Sequence, residues 1–189
     1  MRGRGRGGDA RTRILDAAEE LFAADGYEAT STARVARRAG VPKGLVFHYF
    51  PQKIDLLVAL VEERTHIEEP GAAPTAEDTA RDPAGALARL ARRLPLRASP
   101  AMRRILFREA DTHRSVRDRL HALNRAVLHR ARAALEIALP GARGDAARLE
   151  AAAATFTAVL LYQENLAHLT GHHVDPEAVA ELIARSLGT

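Results

Sequence analysis

From Ile14 to Leu187 the apolar side chains recur at steps of three and four residues and nowhere alternate, a period that one face of a helix can bury and a strand cannot. A chain with this pattern has no sheet to build on. Its packed elements are predicted to be helical, and each place where the period breaks marks where one helix hands over to the next.

The first break is Gly26, after a run from Arg11 to Asp25 that sets Ile14, Ala18, Leu21 and Phe22 on one face. Thr30, Ser31 and Thr32 follow, any of which could cap a second short helix with Val35, Ala36 and Ala39 inside and Gly40 as its stop. Gly40-Val41-Pro42 makes a tight turn, with proline suited to the first position of a third helix that runs to about Phe50 and closes at Pro51. A fourth helix starts near Gln52 and carries Ile54, Leu57, Leu60 and Val61 in a stripe.

Residues 68 to 82, with Pro70, Gly71, Pro74 and several acidic side chains, are too poor in apolar groups for a packed element and read as a loop. Asp82-Pro83 opens a helix with Leu87, Leu90 and Leu94 inward, and Pro95 and Pro100 part it from another around Met102 to Ala110. Ser115 starts a long helix with Val116, Leu120, Leu123, Val127, Ala131 and Leu135 inward, stopped by Pro140-Gly141. A second long helix spans about Asp145 to Leu169, and Asp175-Pro176 opens the last, with Val179, Leu182, Ile183 and Leu187.

At 189 residues there is material for one core of about 120 to 150 residues and a small module sharing its edge. The absence of cysteine excludes disulfides and thiolate metal sites, so a cytoplasmic location is expected. Residues 1 to 10 lack the apolar centre of a secretory signal. The longest uncharged, mostly apolar run, Ala151 to Gln163, falls short of the roughly 18 residues that argue for a membrane span. No membrane partner is expected.

Charge is divided unevenly. Residues 1 to 53 carry ten basic and six acidic side chains and the other 136 residues carry eighteen of each, so the whole net charge of +4 lies in the first third. That is the footprint of a segment that meets a polyanion, unless it is simply a solvated face. The only two lysines among 28 basic residues are Lys43 and Lys53, which suggests positions where a compact ammonium is wanted. Two short helices joined by a glycine turn, the second exposed and basic, let one helix lie in the major groove while its partner braces it against the backbone. The prediction is an all-α chain with a three-helix helix-turn-helix DNA-binding module first and a helical domain behind it.

The residues that fill this pattern are Ile14-Leu15-Asp16-Ala17-Ala18, Leu21-Phe22, Gly26-Tyr27, Val35-Ala36, Ala39-Gly40-Val41, Gly44, Phe47-His48-Tyr49-Phe50 and Lys53. Their order and spacing over residues 11 to 60 resemble the amino-terminal signature of TetR-type transcriptional regulators. The resemblance implies that Ser31 and Thr32 hold a backbone phosphate at the start of the second helix. It implies that Lys43 and Gly44 open the recognition helix, that Phe47 and His48 lie along its groove face, and that Lys53 clamps a phosphate. Val46 and Phe50 fit inward positions. Leu45 stands where the family often has threonine and Phe47 where it usually has tyrosine, so two hydroxyls that commonly reach phosphates are missing. Tyr49 could replace one, and Leu45 could meet a thymine methyl. Phe47 could instead belong to the core and His48 to the solvated surface.

Beyond Val61 the resemblance is one of architecture. It implies a helical effector-binding and dimerisation domain, with a long penultimate and a short final helix paired across a two-fold axis. Ala151 to Ala154 would permit close approach there, and Phe156, Val159, Leu160, Val179 and Ile183 offer apolar area, although the same stripe would serve the subunit's own core. A mostly aliphatic effector pocket would draw on Phe107, Phe156 and Tyr162, with Arg103, Arg104, Gln163 and Asn165 as polar contacts. Glu164, His168 and His172 are spaced for one helical face, with His173 adjacent, but Gly171 is placed to end the helix between them, and no metal or other cofactor is expected. There is no nucleophile elbow and no glycine-rich phosphate loop, so an enzyme is not expected. The expected organisation is a flexible basic arm over 1–10, in which Arg2, Arg4 and Arg6 could enter a minor groove, a DNA-binding domain over 11–53, and the effector-binding and dimerisation domain over 54–189. Together these readings predict a homodimeric repressor, released from a palindromic operator by a small molecule.

Overall fold

The computed structural model describes residues 4–67, 84–85, 88, 96–138 and 145–187. Eight helices are delimited there: α1 (Arg4–Asp25), α2 (Thr32–Ala39), α3 (Lys43–Tyr49), α4 (Lys53–Arg64), α5 (Pro100–Glu109), α6 (Arg114–Ala138), α7 (Ala146–Thr170) and α8 (Pro176–Leu187). The described residues are all-α apart from one pairing of two-residue strands, His66–Ile67 with Leu96–Arg97. Most of the loop expected at 68–82 and of the helix expected after Pro83 lies outside the described residues. No single helix among the described residues is long and apolar enough to cross a membrane.

The breaks fall at the residues suited to make them. Ser31 caps α2, its hydroxyl accepting from the Arg34 amide at 3.3 Å. Gly40 ends α2 in the left-handed region at φ +64, where a side chain would strain the backbone, and its neighbour Val41 donates to the Ala36 carbonyl. Gln52 caps α4 in a capping box with Asp55, and Ser99 caps α5 ahead of Pro100. The helix α1 begins at Arg4, so the backbone over residues 4–10 is continuous with it. Extending a formed helix by a residue needs far less than nucleating one, so several poor helix formers need not stop it.

The described chain divides into two compact units. Unit 1 comprises residues up to His66 together with Ala98–Leu120, and unit 2 comprises Ile67–Arg97 and His121–Thr189. In unit 1, α1 packs against α2, α3, α4 and α5, and its fully buried side chains include Ile14, Leu15, Phe22, Leu56, Leu57, Leu60, Met102, Ile105 and Leu106. Helices α4 and α5 therefore belong to the body that carries the helix-turn-helix. In unit 2, α7 packs on α8 around a core of Ala131, Leu135, Leu149, Ala153, Phe156, Ala180, Ile183, Ala184 and Leu187.

Candidate nucleic-acid interface

The seven-residue α3 is held by two inward side chains. Val46 and Phe50 are buried, while Lys43, Gly44, Phe47 and His48 are exposed and Leu45 and Tyr49 are half-buried. The helical period forces this division, because residues 43 and 47, and 44 and 48, sit one turn apart on the side away from 46 and 50. Phe47, at 41 % exposure, is not a core residue. Its ring lies 5.5 Å from the Lys43 ammonium, and His48 packs edge-on against Tyr49 with ring centres 5.2 Å apart. The exposed side of α3 thus offers a cation, an aromatic ring and an imidazole on a framework that does not need them for burial.

Ser31 is exposed and Thr32 half-buried at the start of α2, the Ser31 oxygen already serving as the cap. Its hydroxyl can still donate to a phosphate, since a hydroxyl accepts and donates at once. Lys53 opens α4. Its Nζ donates to the Glu28 carbonyl at 3.1 Å, lies 3.9 Å from Oε2 of Glu28 and sits 4.2 Å over the Tyr27 ring. An ammonium has three donors, so one carbonyl does not exhaust it.

Part of the basic excess of the first third is spent internally. Arg34 pairs with Asp25 at 2.8 Å and Arg38 with Glu20 at 2.6 Å, which ties α2 to α1. Arg11 donates to both carboxylate oxygens of Glu63 on α4. The Glu63 carboxyl is held below its ordinary range, chiefly by the hydrogen bond from Arg11, with burial opposing, and the same bond raises Arg11. Of the three candidate caps, Thr30 is buried in the turn between α1 and α2 and donates from Oγ1 to the Gly26 carbonyl at 2.8 Å. The cap falls to Ser31, and Thr30 closes the preceding turn.

The effector candidates are not brought together within one unit. Arg103, Arg104 and Phe107 are half-buried on α5 in unit 1, whereas Phe156, Tyr162 and Gln163 are on α7 in unit 2. Phe156 is fully buried in the unit 2 core and Tyr162 is exposed. A shallow cavity of about 290 Å³ in unit 1 is lined by Val58, Val61, Glu62, Ser115, Asp118 and Arg119, none of them a residue expected in a pocket. The Arg119 guanidinium there is engaged by Thr65, whose side-chain and main-chain oxygens both accept from it.

The interface stripe expected from sequence also divides. Phe156 and Ile183 lie in the unit 2 core with Val179 and Leu160 packed against it, while the apolar side chains left exposed are Tyr162, Leu166 and Leu169 on α7 and Leu182 on α8. Gly171 ends α7 at φ +73, ahead of His172 and His173, and among the described residues no three His, Asp or Glu side chains are grouped as metal ligands.

Residues 14–60 match the model of the tetR family of bacterial regulatory proteins. Over 67 residues the chain is 45% identical to the HTH-type transcriptional repressor KstR of Rhodococcus jostii, a match covering 35% of this chain and 32% of that one. It is 40% identical over 58 residues to the HTH-type transcriptional regulator SrpR of Pseudomonas putida, covering 31% and 27%. The similarity thus spans about a third of the length of these curated relatives. In fold it resembles a transcriptional-regulator structure from Saccharomonospora viridis in complex with choline, with TM-score 0.63, 16% identity and 94% and 95% of the two chains covered.

Proposed function

We propose that this chain, whose residues 14–60 match the model of the tetR family of bacterial regulatory proteins, is a homodimeric transcriptional repressor. In this reading it binds a near-palindromic operator and leaves it when a small molecule binds. The observation that carries the reading is the split of α3, with Val46 and Phe50 buried and Lys43, Gly44, Phe47 and His48 turned outward on a family-typical helix-turn-helix. Ser31, Thr32 and Lys53 serve as phosphate contacts that set register, while Lys43, Leu45, Phe47, His48 and Tyr49 meet base edges or the flanking backbone.

Dimerisation follows from symmetry, since one recognition helix per subunit reads one half-site. Tyr162, Leu166 and Leu169, at four- and three-residue steps along α7, with Leu182 on α8, are the side chains we assign to the interface. A small-molecule effector is supported by the choline bound to the regulator of the same fold from Saccharomonospora viridis. Its effect on DNA can be no larger than its differential affinity for the two states. Selection of bound duplexes from a random pool tests the reading directly. The expected result is enrichment of a sequence with two matching half-sites; a pool that stays random after repeated rounds would overturn it.

A further inference from the structure

In unit 1 a carboxylate, Glu109, is buried at 6 % exposure where α5 ends. A carboxylate withdrawn from water this far is costly unless its oxygens meet donors, and Glu109 meets an amide and a guanidinium. Its Oε1 accepts from the main-chain amide of Tyr27 at 3.3 Å and from Nε of Arg108 at 3.2 Å, and its Oε2 lies 3.6 Å from Nε2 of His113. That imidazole nitrogen is buried with no hydrogen-bond partner of its own. The Arg108 guanidinium also donates to the Phe22 carbonyl, which already receives the Gly26 amide at the end of α1. The end of α5 therefore caps the end of α1, and the chain swings through Gly26, at φ +98, to deliver Tyr27 inward.

Tyr27 is held from one side and holds on the other. Its ring meets the edge of Phe22 at 5.3 Å and of His113 at 4.6 Å between centres, while its face lies 4.2 Å under the Lys53 ammonium. The next residue, Glu28, supplies the carbonyl that accepts from the same ammonium at 3.1 Å. A lysine is a point charge on a four-carbon stem with much freedom to lose, and a site that fixes it beforehand lowers what binding must later overcome.

We infer that Glu109 is a positioning residue for the Lys53 phosphate contact, acting through the Tyr27-Glu28 corner that it anchors. The inference rests on the reading of Lys53 as a phosphate clamp. It gives the junction of α5 and α6 a route to the DNA contact that runs across the loop between α1 and α2.

Two measurements on the full-length protein test it. Lys43 and Lys53 are the only lysines, so the Lys53 side-chain methylene resonances are readily assigned, and a methylene held over an aromatic ring is shifted upfield. Glu109→Gln should move those resonances toward the positions of a solvated lysine while leaving the Lys43 resonances in place. Affinity for mixed-sequence duplex DNA is then measured against salt. Lys53→Ala should lower the salt slope by about one charge and weaken binding about eightfold at 0.1 M salt. Glu109→Gln should lower the same slope, and adding it to Lys53→Ala should bring no further loss. Tyr27→Leu, which removes the ring but keeps an apolar side chain, should lower the salt slope in the same way, and that slope carries the test if Glu109→Gln does not fold. Unmoved Lys53 resonances, or a loss that adds fully to that of Lys53→Ala, would overturn the inference while leaving the clamp intact. An unchanged slope in Lys53→Ala would overturn the clamp and the inference with it.

Discussion

Among the described residues of unit 1 the one large apolar side chain left well exposed is Phe47 on α3, whereas unit 2 leaves out Ile137, Tyr162, Leu166, Leu169 and Leu182. The units also differ in how they are tied. Unit 1 is cross-braced by Arg34–Asp25, Arg38–Glu20 and Arg64–Asp16 and by the buried Glu109. Unit 2 holds together around a core with many alanines, with Arg132 bridging to Glu150. Unit 1 has buried or half-buried its other large apolar side chains among the described residues and presents the Phe47 ring to its surroundings. Unit 2 leaves Leu169 79 % and Leu182 68 % exposed, apolar surface that its own fold does not use. We therefore read exposure in unit 1 as recognition and in unit 2 as a seat for a second subunit.

The largest expected effect separates core from pocket in unit 2. Phe156→Ala should lower the unfolding free energy by about 3 to 5 kcal/mol in urea titration, whereas Phe47→Ala should stay within about 0.5 kcal/mol. A mild Phe156→Ala would mean that Phe156 lines a space the core does not need. Next, Leu166→Glu combined with Leu169→Glu should weaken self-association at least 100-fold, about 2.7 kcal/mol, with helicity retained because both side chains are already exposed. Sedimentation that still finds a dimer would break the contrast between the units.

Smaller effects sharpen unit 1. Gly40→Ala should cost about 1 to 2 kcal/mol, since the backbone there is left-handed while no atom crowds the added carbon. Glu63→Gln should cost a few tenths of a kcal/mol at neutral pH, because Arg11 and Glu63 are both more than a third exposed. A carboxyl held below its ordinary value stabilises the fold above that value and loses the contribution as pH falls through its lowered one. The difference between Glu63→Gln and the parent should therefore close below about pH 4. A gap that persists into acid would show that the pair acts through packing.

The helix-turn-helix was legible because what decides it is local: a cap at Ser31, a left-handed stop at Gly40 and a period that separates Val46 from Phe47. What escaped is long-range. Glu109 meets an amide 82 positions away, and nothing in the run around either residue signals the partner. The charge excess was visible, but not that Arg34 and Arg38 face acids on α1. The apolar stripe of α7 was visible too, yet one period describes both a face turned to its own core and a face turned outward, so Phe156 and Leu166 look alike until the fold tells them apart.

The division within α3 bears on how such a chain changes over generations. Gly44, Phe47 and His48 are exposed, while Val46 and the capping residue Phe50 are buried. Exchanges at those outward positions leave the buried side chains as they were, so in the reading proposed above the DNA sequence preferred could change while the fold does not. Reading surface and scaffold thus interleave within eight consecutive residues, from Lys43 to Phe50.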